Sequence, residues 1–244
     1  MSKTVIVTGA SSGLGFAIAR AYLERGYNVV GNARTQARLE EAAARLGHPS
    51  NFLAVAGDIA KPDTARRLFD QAIEAFGRVD ILINNAGIFI PKPVTDYTEE
   101  EVNAIVATNL MGFFYPSQAA ARHMAANGSG HIISITASIA MQPNVKVPAL
   151  LPVLIKGGLN SAVRGLALEL AASHVQVNAV APGIIETPLH ASDEGTHAFL
   201  RGLSPSGRIG NPQDIVDAVL YLTDSTFVSG SVLNVDGGST TGVW

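Results

Sequence analysis

The run Thr4-Val5-Ile6-Val7-Thr8-Gly9-Ala10-Ser11-Ser12-Gly13-Leu14-Gly15 places three glycines where a β-branched strand gives way to an amphipathic stretch, Phe16 to Arg25. Such a turn does its chemistry with main chain: open N–H groups and the positive end of a helix dipole attract an anion. Gly9 permits a sharp turn, Gly13 lets backbone approach a pyrophosphate, and Gly15 lets the helix settle on the strand. Ser11, Ser12 and Leu14 complete this candidate phosphate site. The spacing is G-x-x-x-G-x-G, not the commoner G-x-G-x-x-G. A glycine turn can also be only a turn, so the residues that follow decide its meaning.

The second apolar run ends Val29-Val30-Gly31-Asn32-Ala33-Arg34. An acid at the Ala33 position would hold the adenosine ribose hydroxyls and disfavour a 2′-phosphate. Here that acid is missing and a guanidinium follows, whose planar donors suit a phosphate. Arg34, with Asn32 as a polar helper, therefore favours NADP(H) over NAD(H). The plain alternative is a solvated arginine opening a surface helix that also carries Arg38 and Arg45. Asp58-Ile59 closes the third run, where a carboxylate can accept from an adenine amino group while isoleucine packs on the ring; capping of the next helix is the other reading. Asn84-Asn85-Ala86-Gly87 closes the fourth, where paired asparagines can fix backbone, reach a ligand, or simply turn the chain.

Positioning these residues requires a regular frame. Strand-like runs lie at Thr4–Thr8, Asn28–Gly31, Phe52–Ala56, Ile81–Asn84, His131–Ile135, Val175–Val180 and Val232–Val235. Helical patterns fall between them near 14–25, 36–46, 62–76, 98–127, 153–173 and 212–223. Pro62 and Pro212 suit first-turn positions, and Thr98-Glu99-Glu100-Glu101 spells a capping box. Near-continuous apolar strands alternating with helices predict an α/β fold, one doubly wound parallel sheet covered on both faces. The balance of 17 basic and 20 acidic side chains gives a net charge of −3 and no basic footprint for nucleic acid or a membrane surface. With no cysteine there is neither a disulfide nor a thiolate metal site, and no metal is expected. The first strand starts close to Met1, leaving no room for a secretory signal, and the longest apolar run, Val147–Ile155, holds two prolines and is short for a bilayer. The expectation is a cytoplasmic protein.

Taken together, Thr8-Gly9-x-x-x-Gly13-x-Gly15, Asp58-Ile59, Asn84-Asn85-Ala86-Gly87, Asn109, Ser138, Lys156 and Pro182-Gly183 resemble the classical short-chain dehydrogenase/reductase family. The likeness runs to Asn234-Val235-Asp236-Gly237-Gly238. It implies a single Rossmann domain over 1–244 with a seven-stranded sheet, a substrate lid at about 188–206, and a homotetramer or homodimer. It also implies hydride transfer between nicotinamide and a small carbonyl or alcohol. Asn109, Ser138 and Lys156 take the places of the relay asparagine, the serine that holds the substrate oxygen, and the lysine that binds the nicotinamide ribose. Asn85, Ala86, Gly87, Pro182, Gly183, Ile185 and Thr187 join the cofactor-binding set, the last two towards the carboxamide. Bland alternatives are an asparagine bonding its own helix, a strand-end hydroxyl with Thr136 as rival, and a solvated lysine.

One position departs from the pattern. The family's proton donor is a tyrosine four residues before the lysine, and Pro152 stands there. Proline is tolerated in a first helical turn, so the fold survives while the usual acid is lost. Ser138 also lies 18 residues before Lys156, about one more than the family usually has. Proton delivery must then come from Lys156 directly or through water, from Ser138, or from His190 or His197, whose imidazoles titrate near neutrality. Tyr97 and Tyr115 have no spacing argument. A rival reading keeps the dinucleotide but not redox turnover, as a lyase, a dehydratase or a cofactor-sensing binding protein.

Overall fold

Strands that are apolar on alternate faces must be covered twice, and right-handed helical crossovers between parallel strands do this. The computed structural model, which describes residues 2–187 and 194–242, shows that arrangement. β1 (Thr4–Thr8), α1 (Gly13–Glu24), β2 (Asn28–Ala33), α2 (Gln36–Arg45), β3 (Phe52–Ala56), α3 (Pro62–Phe76) and β4 (Ile81–Asn84) form the first half. α4 (Glu99–Ile105), α5 (Gly112–Asn127), β5 (Gly130–Ile135), α6 (Leu150–Leu170), β6 (Val175–Pro182), α7 (Glu194–Arg201), α8 (Pro212–Asp224) and β7 (Val232–Val235) complete it. All seven strands are parallel in the order β3-β2-β1-β4-β5-β6-β7. The chain winds outward from β1 to β3, then returns past β1 and winds the other way from β4. That reversal opens a crevice at the carboxyl ends of β1 and β4, where such sheets bind ligands.

Strand parity divides the core. Ile6, Leu82 and Ile132 face α3, α5 and α6, packing with Leu68, Phe113, Leu159 and Val163. Val5, Val7, Ile81 and Ile133 face α1 and α8, packing with Ile18, Tyr22, Ile215 and Val219. Thr98 and Glu101 form the expected capping box on α4, and Asn211 with Asp214 form another on α8.

Two departures from the sequence pattern have clear causes. The stretch 98–127 is not one uniform helix: a π-helical turn, Val106–Met111, separates α4 from α5 and carries Asn109. Pro116, just downstream, has no N–H to give the carbonyl of Gly112, so regular pairing is already interrupted there. Wide turns of this kind re-aim side chains and recur at functional sites. The 188–206 stretch also contains α7, with Leu203 buried and Phe199 half in solvent. Residues 188–193, His190 among them, lie outside the described residues.

Two histidines are held uncharged. His123 Nε2 accepts the Val79 N–H at 3.0 Å, and His131 Nδ1 is buried without a partner. Burial lowers both pKa values, helped by Arg78 near the first and Lys3 near the second, against opposing Asp80 and, at His131, Asp224. The unfolded chain binds these protons near pH ~6.5 and the folded chain only at lower pH. Stability is therefore full above that value and falls as pH drops through it, by up to about 1.4 kcal/mol per pH unit per histidine. Denaturant midpoints between neutrality and mild acid should show the loss, and His123→Gln, which still accepts from Val79, should flatten it.

Candidate active site

The glycine turn is built around missing Cβ atoms. One added at Gly15 would stand 2.2 Å from the Gly9 carbonyl oxygen and 2.4 Å from Asn85 Nδ2. Gly9 and Gly13 have φ of +69° and +54°, a region that other residues rarely enter. Ser12 is the N-cap of α1, yet its hydroxyl caps nothing and no acid occupies the first turn. α1 leaves its donors open, as α2, α3 and α6 also do, but here they follow the glycine turn at the crevice, the arrangement an anionic phosphate requires. Ser11, Leu14 and Gly13 are half-buried along this rim. The residues present fit a dinucleotide pyrophosphate.

Thr8 ties the two sides of the crevice together, a role its place in the motif does not announce. Its Oγ1 accepts the N–H groups of Asn85 and Ala86, both at 3.0 Å, while Asn85 Nδ2 donates to the Thr8 carbonyl at 2.9 Å. Asn85 thus builds the floor of the crevice. Asn84 turns away from it, donating to Ser117 Oγ at 2.9 Å.

At the adenosine end, Ala33 is buried and Arg34 is exposed, with no ion pair among the described residues. Arg38 is likewise exposed one helical turn on, whereas Arg45 lies over the Phe16 ring. Asn32 is not brought to this surface. It is buried, and its amide donates to the carbonyls of Val55 and Gly57 at 3.0 and 3.1 Å, bracing the end of β3. Asp58 is exposed at the crevice edge and accepts the Ala60 N–H at 3.0 Å. Ile59 belongs to the core, its side chain packed towards Gly112.

The other end gathers Asn109, Lys156 and Gly87. A Cβ on Gly87 would be 2.6 Å from Asn109 Oδ1 and 3.5 Å from Lys156 Nζ, so the two side chains meet over this glycine. Asn109 does not fold back on its helix. Its Nδ2 donates to the Ile88 carbonyl at 2.9 Å and its Oδ1 accepts the Ile88 N–H at 3.0 Å. Lys156 donates to the Ile135 carbonyl at 2.8 Å and has no carboxylate partner among the described residues. Burial without a counter-charge lowers its pKa to about 8, near enough to neutrality to exchange protons.

Ser138 is buried on a 3₁₀ turn, Ser138–Ala140, and its hydroxyl has no hydrogen-bond partner among the described residues. Its rival Thr136 is committed, donating to the Val180 carbonyl at 3.3 Å. Pro152 is the third residue of α6 and buried. The first main-chain bond of that helix, Val153 N–H to the Ala149 carbonyl at 2.9 Å, falls just after it, so the ring removes no needed donor. Tyr97 donates to the Ile90 carbonyl at 2.6 Å, and Tyr115 stacks edge-on against Phe114. Neither hydroxyl is placed beside Lys156 by any of these bonds.

The crevice is roofed by the chain leaving β6. Gly183 donates to the Val235 carbonyl, Ile185 is buried and bridges to Gly210, and Thr187 faces Gly13 across the opening. His197 is half-buried on α7.

Comparison with known proteins agrees with this geometry. A family model described as enoyl-(acyl carrier protein) reductase matches residues 9–240. Glucose 1-dehydrogenase of Gluconobacter oxydans is 36% identical over 245 residues, covering 98% of this chain and 92% of that one. The structure of ElxO with NADP bound superposes with a TM-score of 0.93 at 25% identity, covering 99% and 100% of the two chains. A 3-ketoacyl-(acyl-carrier-protein) reductase from Brucella melitensis, complexed with NADH, superposes at 0.89 with 31% identity and 98% coverage of each. Sequence match, sheet order and crevice coincide: the chain belongs to the short-chain dehydrogenase/reductase family and is an oxidoreductase of it.

Proposed function

We propose that this oxidoreductase interconverts a small carbonyl compound and its alcohol with NADP(H), Lys156 exchanging the proton with the substrate oxygen. The observation that carries the reading is the buried Lys156 ammonium, unpaired by any carboxylate among the described residues, meeting Asn109 over Gly87 at one end of the crevice. ElxO and the Brucella melitensis reductase hold NADP and NADH in structures of this shape, and the Gluconobacter oxydans relative is named for a small sugar, glucose.

The bound dinucleotide supplies the hydride. Gly9, Ser11, Ser12, Gly13, Leu14 and Gly15 hold its pyrophosphate, Asp58 the adenine edge with Ile59 seated in the core behind it rather than on the ring, and Asn85, Ala86 and Gly87 the floor beneath it. Pro182, Gly183, Ile185 and Thr187 hold the carboxamide, and Lys156 the ribose hydroxyls. Ser138 donates a hydrogen bond to the substrate oxygen. Lys156 Nζ gives that oxygen a proton as negative charge grows on it, becoming a neutral amine that solvent reprotonates by way of water beside Asn109. Residues 188–206 act as the lid over substrate.

Arg34 takes the 2′-phosphate, with Asn32 bracing the strand end rather than touching it. Charge-assisted bonds of this kind contribute about 1.5–3 kcal/mol. Arg34→Ala should therefore weaken NADPH by roughly 10- to 100-fold in calorimetric titration and leave NADH almost unchanged. Equal losses for both would contradict the assignment.

Pro152 favours one second reading, a protein that binds the dinucleotide but acts as a lyase, dehydratase or sensor. Following NADPH absorbance across a panel of ketones, aldehydes and keto-sugars separates the two. Oxidation by the wild-type chain supports the first reading. No oxidation, with activity appearing only in Pro152→Tyr, supports the second. We further propose that the protein works in the cytoplasm as a homotetramer or homodimer, with the exposed Phe114 and Leu154 covered in the assembly. Light scattering on the eluted protein reads that directly.

A further inference from the structure

The residues after β7 fold into a compact knot. Asp236 Oδ1 accepts the Gly238 N–H at 3.0 Å, and its Oδ2 accepts from Thr240 N and Oγ1 at 2.9 and 2.8 Å. Asn234 Nδ2 donates to the same Thr240 hydroxyl at 2.7 Å, and Thr241 closes back onto the Gly238 carbonyl. A segment tied by this many internal bonds is ordered without help from elsewhere in the chain.

The knot touches three parts of the crevice wall. Gly183 packs on it so closely that a Cβ there would be 2.7 Å from Asp236 Cα. The Ser206 N–H donates to the Gly237 carbonyl at 3.1 Å, where the stretch holding α7 ends. Gln142 Nε2 donates to the Gly242 carbonyl at 2.5 Å. Gln142 also donates its own N–H to the Ser138 carbonyl at 3.1 Å. One residue therefore links the C-terminal knot to the turn that presents the Ser138 hydroxyl. The loop beyond it, up to Ala149, is open to solvent, with Val145 almost fully exposed. That loop offers little else to hold the turn.

We infer that Gln142 is a positioning residue, and that the Asp236–Gly242 knot acts through it to hold the turn that carries Ser138. This rests on the redox reading above, because turnover is what a displaced Ser138 would lower. A displacement of about 1 Å at a reacting group can cost up to about 100-fold in rate. Dinucleotide binding uses residues outside this turn and is untouched.

The test combines two variants and two readouts. Gln142→Leu keeps the bulk and removes the donor; a chain ending at Thr241 removes the Gly242 acceptor and keeps the Thr240 and Thr241 bonds of the knot. Each should lower kcat/KM for the best carbonyl substrate about tenfold or more, with the NADPH dissociation constant within about twofold of wild type. Combining them should add nothing, since both break one link. Hydrogen exchange at the Met141 and Gln142 amides, measured without substrate, should rise in both variants. Unchanged exchange, multiplying rate losses or a matching loss of NADPH affinity would each overturn the inference. If wild type oxidises no NADPH, the redox reading fails, and the exchange measurement still decides whether the knot holds the turn.

Discussion

Replacing Lys156 with alanine should lower kcat by about 10³-fold or more, without unfolding the chain. Positioned acids and bases contribute about 10²- to 10⁴-fold, and in the proposed mechanism Lys156 both holds the ribose and supplies the proton. Pro152 cannot assist it, having neither a hydroxyl nor an N–H. Burial holds the ammonium at about 8, so the direction of the pH dependence is fixed. With Lys156 as the donor, reductive turnover, which uses the charged form, should fall as pH rises through about 8, and oxidative turnover, which uses the neutral amine, should rise over the same interval. Lys156→Arg separates charge from proton transfer. A guanidinium stays charged throughout this range, so that variant should keep NADPH binding, lose most turnover and show no break near 8. An alanine variant retaining a tenth of wild-type kcat would move the acid elsewhere, His190 or His197 first.

The second large effect falls on the glycine turn. Gly15→Val should destabilise the protein by at least about 3 kcal/mol, because no rotamer relieves a clash made by the Cβ itself. That atom would lie 2.2 Å from the Gly9 carbonyl oxygen and 2.4 Å from Asn85 Nδ2, which is already bonded to the Thr8 carbonyl. Either α1 lifts off β1 or the seam between the β1 and β4 ends opens. Thermal melts should drop by roughly 10 °C for a chain of this length, and NADPH binding should vanish with the seam. Gly165→Val is the matched control: this glycine is also helical and without a positive φ, but nothing lies within 4 Å of its added Cβ.

Much of this was legible in the sequence because it depends on local pattern. Apolar runs bounded by turns locate all seven strands, and the glycine spacing points to the crevice before any pairing is known. β2 and β6 run further than the apolar run, to Ala33 and Pro182, because main-chain pairing does not stop where hydrophobicity does. The π-turn carrying Asn109 has no periodicity signature: Pro116 marks an interruption, but not that Asn109 would be turned onto the Ile88 main chain. Asn32 shows a related limit. An amide beside an arginine invites a ligand role, whereas carbonyls more than 20 residues away claim both its protons. Gln142 and Thr8 were silent for the same reason, since each is defined by a distant partner. The absence of a tyrosine before Lys156 could be read from the chain alone, but the unpaired burial of that lysine could not.

The central claim is that hydride passes to a carbonyl carbon while Lys156 supplies the proton. The protein can be incubated with a panel of carbonyl compounds and NADPH carrying deuterium at both nicotinamide C4 positions, and the products weighed. Wild type should yield an alcohol carrying one deuterium on carbon, and Lys156→Ala none above background at equal cofactor saturation. Alcohol without deuterium, or equal labelled product from both proteins, would contradict it.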